Sequence, residues 1–447
     1  MMDRREVLQA GCSSFLGLGL SGLLQQRAVA AASESRAKSV VLVFLSGGGS
    51  HIDMFDPKPT ASETKGEFEP IATKVPGLHF SEMMPMMAER ADRFTVVRSM
   101  SHTDNRHLSG SHNTLTGSVQ PFRGESNQDK SLNRADWPCY GAAIESLRPP
   151  ADGSPSQVTI PVPLIEGPLV WPGQHAGFLG SKYDPFQVNS DPNEQSFAVR
   201  GLTLTDGLSV GRLDRRWQLL NSAIEREKSL DSSHHTHQFA DNQEAAFSLL
   251  TSSKLSEAFE IDQESPEMRE RYGRSRMGQT LLLARRLVEA EVPVVQCNMG
   301  HVQIWDTHVN HFPRLKNDLL PPLDRGVSVL LDDLSERGLL DQTLVIVVGE
   351  FGRTPQISPL AGEQVPGRHH WAPAYSAVFA GAGVRGGQVI GATDDIGAYP
   401  ITKSYHPNDL GATVYQSLGI DPHTMVRDRL GRPIPLNQGK VMDVLFG

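Results

Sequence analysis

Five short, unbroken apolar runs set the tightest limit on what this chain folds into. Ser39-Val40-Val41-Leu42-Val43-Phe44-Leu45 is almost wholly apolar on consecutive positions, so it offers no polar face to water. Such a run reads as a strand buried on both faces, the place strands hold in parallel sheets. Similar runs recur at Phe94–Val97, Pro293–Cys297, Thr343–Val348 and Tyr375–Ala380. Helical spacing separates them. Leu281, Leu282, Ala284, Leu287 and Val288 recur with helical period inside Arg274–Ala290, and Leu315–Arg337 repeats the pattern with Gly338 placed to end it. Strands alternating with helices predict an α/β fold, a doubly wound and mostly parallel sheet with helices on both faces. Between about 118 and 270 the pattern loosens. Pro, Gly, Asn and Ser dominate first, then helical stretches follow around Arg212–Lys228 and Asn242–Glu260. This stretch reads as a large insertion or cap over the core.

The N-terminus carries an address. Arg4-Arg5, an apolar run from Ser13 to Leu24 and Ala28-Val29-Ala30 are the parts of a twin-arginine (Tat) signal peptide over residues 1–32. A lipid anchor at Cys12 is rejected, because that cysteine precedes the apolar run and Gln9 stands where a lipobox wants Leu. The mature domain, residues 33–447, is then expected in the periplasm or outside the cell. Beyond the signal no apolar stretch is long enough for a spanning helix. A net charge of −9 excludes a general nucleic-acid binder, which carries a basic surplus. Past the signal only Cys139 and Cys297 remain, with no zinc-type spacing, so any metal must be held by His and carboxylates.

Polar residues gather where the strands are expected to end. Ser46 to Asp53, with His51, follows the first run, and His102 to His112, with His107, follows the second. His301 to His311, with Asp306 and His308, follows the Pro293 run. Glu350 to Thr354 follows the Thr343 run, joined by Gly367-Arg368-His369-His370-Trp371. Nine of the sixteen histidines fall in these clusters, more than scattered surface histidines would supply. Histidines and carboxylates converging from several strand ends are the donors of a Zn or Mn site. In extended backbone residues i and i+2 share a side, so Asp306 with His308, or His51 with Asp53, is placed to grip one ion. Arg353 and Arg368 match the oxygens of an anionic ester, with a structural ion pair as the alternative.

At these residues the chain resembles the Tat-exported proteins of domain-of-unknown-function family 1501, common in planctomycetes and related bacteria. The resemblance runs from about Val40 to Gly447. It is carried by GGGSHIDMFDPKP, AGFLGSKYDPF, LLLARRLVEAEVPVV, WDTHVNHF, and DDLSERGLLDQTLVIVVGEFGRTP with GRHHW. It implies the fold of the alkaline-phosphatase and sulfatase superfamily, and with it a ligand set. Asp306 and His308 are similar to that superfamily's Asp-then-His pair, at a spacing of two rather than four. Glu350 stands at its Asp-His-Gly, where Phe351 replaces the histidine, and His370 resembles its late histidine. Ser46 stands where a metal-binding Asp is usual, which leaves His51 and Asp53 to substitute. Counting back from Leu115-Thr116-Gly117 by the sulfatase spacing reaches His107, with Ser109 and Ser111 as nearby alternatives for a nucleophile.

The resemblance and the residues together lead to an exported hydrolase of phosphate or sulfate esters that uses a divalent metal, Zn or Mn with Ca as a further option. Its substrate is expected to be a small-molecule or polysaccharide anionic ester. The rival expectation is a non-catalytic binding or assembly protein that kept the fold and lost the nucleophile, which Phe351 and His107 favour.

Overall fold

The computed structural model describes residues 36–121, 132–199 and 253–447, with isolated positions at 215, 218 and 219. The expected signal peptide and most of the helical stretches expected around Arg212–Lys228 and Asn242–Glu260 lie outside the described residues, while the end of the second, Ser253–Phe259, is helical. In chain order the strands that matter are β1 (Ser39–Phe44), β2 (Phe94–Met100), β3 (Gln157–Ile160), β4 (Phe186–Gln187), β5 (Val294–Asn298) and β6 (Thr343–Val348). A small hairpin follows, β7 (Gly352–Arg353) with β8 (His370–Trp371), and then β9 (Tyr375–Ala380) and β10 (Gln388–Ile390). Eight of these form one sheet, ordered β10–β2–β9–β6–β1–β5–β3–β4. All five apolar runs are strands of it. Two further strands, β3 and β4, come from within 118–270 and extend the sheet at one edge.

β1 sits between β6 and β5, parallel to both, and every one of its residues is buried. Its side chains alternate between two cores. Val41, Val43 and Leu45 join Leu281, Leu287, Leu323 and Leu330, contributed by helices α3 (Arg276–Glu289) and α4 (Leu320–Glu336). Val40, Leu42 and Phe44 join Leu108, Leu115, Tyr140, Leu410 and Val414 on the opposite face. The helices there are α1 (His107–Thr116), α2 (Tyr140–Leu147) and α5 (Pro407–Ser417). Each fully buried Val, Leu or Phe contributes roughly 1.5–3 kcal/mol, so a strand with no exposed position is strongly held in place.

Two details depart from a simple reading of the sequence. The helix expected over Leu315–Arg337 opens with a wide π turn, Leu315–Leu319, before α4 proper begins. Pro321 and Pro322 lack the N–H groups that would close ordinary α turns onto residues 317 and 318. At its far end Gly338 adopts φ 68°, the left-handed conformation that ends helices. The second departure is direction. β9 is antiparallel to both β6 and β2, whereas the other seven strands share one sense. A parallel return needs a crossover of a dozen or more residues, usually helical. The connection from β6 to β9 contains the β7–β8 hairpin and no helix, so the chain comes back up the sheet. The start of β9 therefore lies at the same edge as the ends of β1, β2, β5 and β6. That edge collects the polar clusters.

Candidate metal centre

Asp306, past the end of β5, is the hub. Its Oδ1 lies 2.9 Å from His308 Nε2 and 3.1 Å from His370 Nε2, and the two imidazole nitrogens are 2.9 Å apart. His370 arrives on β8, just ahead of the reversed strand, and its Nδ1 is fixed 2.8 Å from the carbonyl of Asn105. On the other side His308 Nδ1 lies 2.7 Å from His369 Nδ1, and His369 Nε2 lies 3.0 Å from Ser358 Oγ. His107 is the first residue of α1. Its Nδ1 lies 2.8 Å from Glu350 Oε1, which also accepts from the Gly47 backbone N–H at 2.7 Å. Its Nε2 faces Asp306 Oδ2 at 3.3 Å, without the alignment of a hydrogen bond.

Close backbone approach makes this possible. An added Cβ at Gly47, where φ is +112°, would lie 2.4 Å from the Asp306 amide nitrogen, and one at Gly110 would lie 3.3 Å from Glu350 Cβ. The glycine loop after β1 thus passes directly under Asp306, while α1 rests on Glu350.

Electrostatics follow from the contacts. Burial works to raise the Asp306 carboxyl, but His107, His308, His370 and Arg353 outweigh it and hold it well below the usual carboxylate range. Burial works to lower His107, and the neighbouring Asp306 and Glu350 carboxylates overcome that, raising it to about 9. His370 moves down: burial leads, and the neighbouring His107 and Arg353 charges add to it against the pull of Asp306.

The donor set fits a divalent ion. Three donor atoms 2.9, 2.9 and 3.1 Å apart have nearly the mutual spacing that a tetrahedral ion with bonds of about 2.0–2.1 Å asks of its ligands. His107, Asp306 and His370 also have donor atoms within 4.8 Å of one another. The buried His107 Nε2, facing this set, has no hydrogen-bond partner. Buried polar atoms are rarely left so, and an ion would satisfy this one. Glu350 stands behind His107 and accepts a hydrogen bond from Nδ1–H, so an ion that displaces the Nε2 proton would meet a lone pair there, the orienting role a carboxylate plays behind a ligating histidine.

Not every expected residue comes to this place. Asp53 is buried elsewhere in the same edge, where Arg368 grips it through Nε to Oδ2 at 2.7 Å and Nη2 to Oδ1 at 3.2 Å, and His311 Nε2 lies 2.8 Å from Oδ2. Its partners are therefore a guanidinium, an imidazole and the Ser50 hydroxyl. His51 is held through Nε2, 2.8 Å from the Gly397 carbonyl, while its Nδ1 is buried without a hydrogen-bond partner. Arg368 is fully buried and spends its remaining donors on the carbonyls of Thr64, Thr354 and Pro355. Arg353 is also fully buried, bonded to the carbonyls of Gly47, Gly48, Trp305 and Arg368 and paired with Asp306 Oδ1 at 2.6 Å. Neither guanidinium is open to a substrate oxygen, so the structural alternative holds for both. His311 and Asn105 had no role in the sequence reading. The Thr307-x-x-x-His311 spacing hints at the first, while a backbone carbonyl such as that of Asn105 leaves no trace in a sequence.

A family model described as Protein of unknown function (DUF1501) matches residues 37–446. The chain belongs to this family. Solved structures similar to this DUF1501 protein include the PsFucS1 sulfatase from Pseudoalteromonas sp., at 11% identity and TM-score 0.40 over 89% of this chain and 72% of that one. A mutant of the alkaline phosphatase PafA gives 10% and 0.42, over 93% and 100%. The phosphonate monoester hydrolase SpPMH from Silicibacter pomeroyi gives 11% and 0.38, over 93% and 77%. No curated protein matches the sequence. Among the described residues no helix is long and apolar enough to cross a membrane.

Proposed function

We propose that this DUF1501 protein is an exported, metal-dependent hydrolase of phosphate or sulfate esters. The observation that carries the reading is the buried, unpartnered His107 Nε2 facing Asp306, beside the close triangle of Asp306, His308 and His370. Asp306, His308 and His370 would hold the ion, with His107 as a fourth donor or as the group that acts beside it. A nitrogen-rich set suits Zn or Mn better than Ca, which prefers oxygen. When bound, such an ion supplies a Lewis acid that offsets negative charge on an ester oxygen.

The chain's own residues supply the rest. Glu350 accepts a hydrogen bond from His107 Nδ1–H and so keeps Nε2 directed at the centre. Arg353 and the glycine loop fix Asp306 in one orientation. α1 starts at His107 without a side-chain cap, so its positive end lies where an anionic ester would bind. The thiols offer no alternative nucleophile, since burial raises both Cys139 and Cys297. Arg4-Arg5 and the segment that follows support export, and the ester in the periplasm or outside the cell is then a small molecule or a polysaccharide.

A second reading is a metal-binding protein without turnover. It is favoured because the place where a sulfatase carries its Cys or Ser is held by His107, with one nitrogen already bound to Glu350. One experiment separates the two. The mature chain is loaded with Zn²⁺ or Mn²⁺ and assayed against aryl phosphates and aryl sulfates, beside His370→Ala. Metal-dependent turnover that falls at least about 100-fold in the variant is expected, as for loss of one of about four ligands. Stoichiometric metal with no turnover of any ester would hand the lead to the binding reading.

A further inference from the structure

Behind the ligand triangle lies a second polar cluster, closed to solvent. Thr307, between Asp306 and His308, turns its hydroxyl to His311 Nδ1 at 2.7 Å. His311 Nε2 lies 2.8 Å from Asp53 Oδ2, to which the Ser50 hydroxyl also donates. Since a carboxylate only accepts, His311 carries its proton on Nε2 and accepts from Thr307 on Nδ1. Arg368 clamps the same carboxylate with two nitrogens, from a position two residues before His370. Thr307, His311, Asp53, Ser50 and Arg368 are each at most 3% exposed.

The cluster sits where two ligand-bearing segments touch. An added Cβ at Gly367 would lie 2.2 Å from the His308 carbonyl oxygen and 2.4 Å from that of Thr307. Gly367 therefore rests its backbone directly on the carbonyls of Thr307 and His308. Asp53 is bonded to both, through His311 and Thr307 on one side and through Arg368 on the other. Four donors converge on its carboxylate, three of them on Oδ2, and through them it touches the segment of Asp306 and His308 and that of His370.

We propose that Asp53 is a positioning residue for the metal centre, joining the Asp306–His308 segment to the His370 segment through the Thr307–His311 pair and Arg368. The inference rests on the reading of Asp306, His308 and His370 as ion ligands. A structural ion pair alone would support the fold and leave ion affinity in the folded protein unchanged. A joint between ligand segments would set that affinity, because a few tenths of an ångström in donor spacing decide how well an ion is held.

The test is Zn²⁺ affinity by competition titration on the full mature chain, at a temperature where circular dichroism shows every variant folded. The variants are Asp53→Asn, Thr307→Val and, as a control, Asp332→Asn. The control breaks ion pairs to Arg90 and Arg93 near the far end of α4. Asp53→Asn and Thr307→Val are expected to bind Zn²⁺ about 10–100-fold more weakly, as for partners that orient ligating residues, with Asp332→Asn equal to wild type. Thr307→Val keeps the side-chain shape and carries the test if Asp53→Asn does not fold. Stoichiometric Zn²⁺ in wild type with both variants within twofold of it would overturn the inference and leave the centre standing. Absence of Zn²⁺ and Mn²⁺ binding in wild type would overturn the centre itself.

Discussion

Asp306 and Asp53 make an instructive pair. Each follows the end of one of two adjacent strands, β5 and β1, and each is ringed by histidine and arginine. Around Asp53 every contact ends at the carboxylate, and the residue is 3% exposed. Burial alone would raise its pKa, but the Arg368 charge, His311 and Ser50 hold it well below the usual range. Around Asp306 the donors face one another as well as the carboxylate, with His308 and His370 nitrogens 2.9 Å apart. His107 Nε2 nearby has no hydrogen-bond partner. The first arrangement is saturated and is complete as structure. The second leaves His107 Nε2 without a partner, which a cation, on the proposed reading, would supply. On the reading proposed above, the same residue types would serve as a joint in one place and as a receptor in the other.

The largest way to break this comparison is Arg368→Ala. It strands a buried Asp53 carboxylate, and losing one partner of a buried pair costs about 3–5 kcal/mol. Urea unfolding of metal-free protein should show a loss of that size. A change below about 1 kcal/mol would mean that Asp53 is not the saturated ion pair described, since partners of exposed pairs are lost that cheaply.

How much of this is legible in the sequence follows from the same physics. The five inner strands are legible because a short, unbroken apolar run has no face to turn to water and belongs inside a sheet. The outer strands β3, β4 and β10 are not, being short and partly polar. The direction of β9 leaves no signal either, since an apolar run looks the same whichever way it is traversed. Asp306 with His308 is found through side-chain alternation, and His107 and His370 through resemblance. Arg353 and Arg368 look like substrate clamps because their true partners are mostly backbone carbonyls, at Gly47, Gly48, Thr64 and Thr354 among others. Asp53 reads as a ligand for a related reason. A carboxylate past a strand end has the same sequence whether an ion or a guanidinium waits for it.

A smaller effect sharpens the other half of the comparison. Glu350→Gln keeps size and burial but no longer forces the proton onto His107 Nδ1, because an amide can donate as well as accept. Zn²⁺ affinity should fall about 10–100-fold, roughly 1.4–2.7 kcal/mol, while the urea midpoint of metal-free protein moves much less than in Arg368→Ala. Unchanged affinity would remove Glu350 from the centre.

The smallest expected effect is a pH dependence that one region has and the other lacks. In metal-free protein His107 lies between Glu350 and Asp306, and its pKa is raised to about 9. A histidine whose folded pKa lies above its unfolded value near 6.5 binds more proton when folded. Its contribution is complete below about pH 6.5 and fades as pH rises toward 9, by about 1–2 kcal/mol once coupling between the buried groups is discounted. The Asp53 cluster titrates the other way. Its carboxyl is depressed, so its contribution is present above the ordinary carboxylate range and is lost only on acidification. Metal-free wild type should therefore lose stability between pH 6.5 and 9, and His107→Gln should flatten that slope. The acid limb of both proteins, governed by carboxylates such as Asp53, should stay in place. Zn²⁺ takes the lone pair that the proton would occupy, so loaded wild type should also lose the alkaline slope. Urea midpoints at several pH values measure all three. An alkaline slope that persists unchanged in His107→Gln would place the titrating group elsewhere and remove His107 from the pocket's proton chemistry.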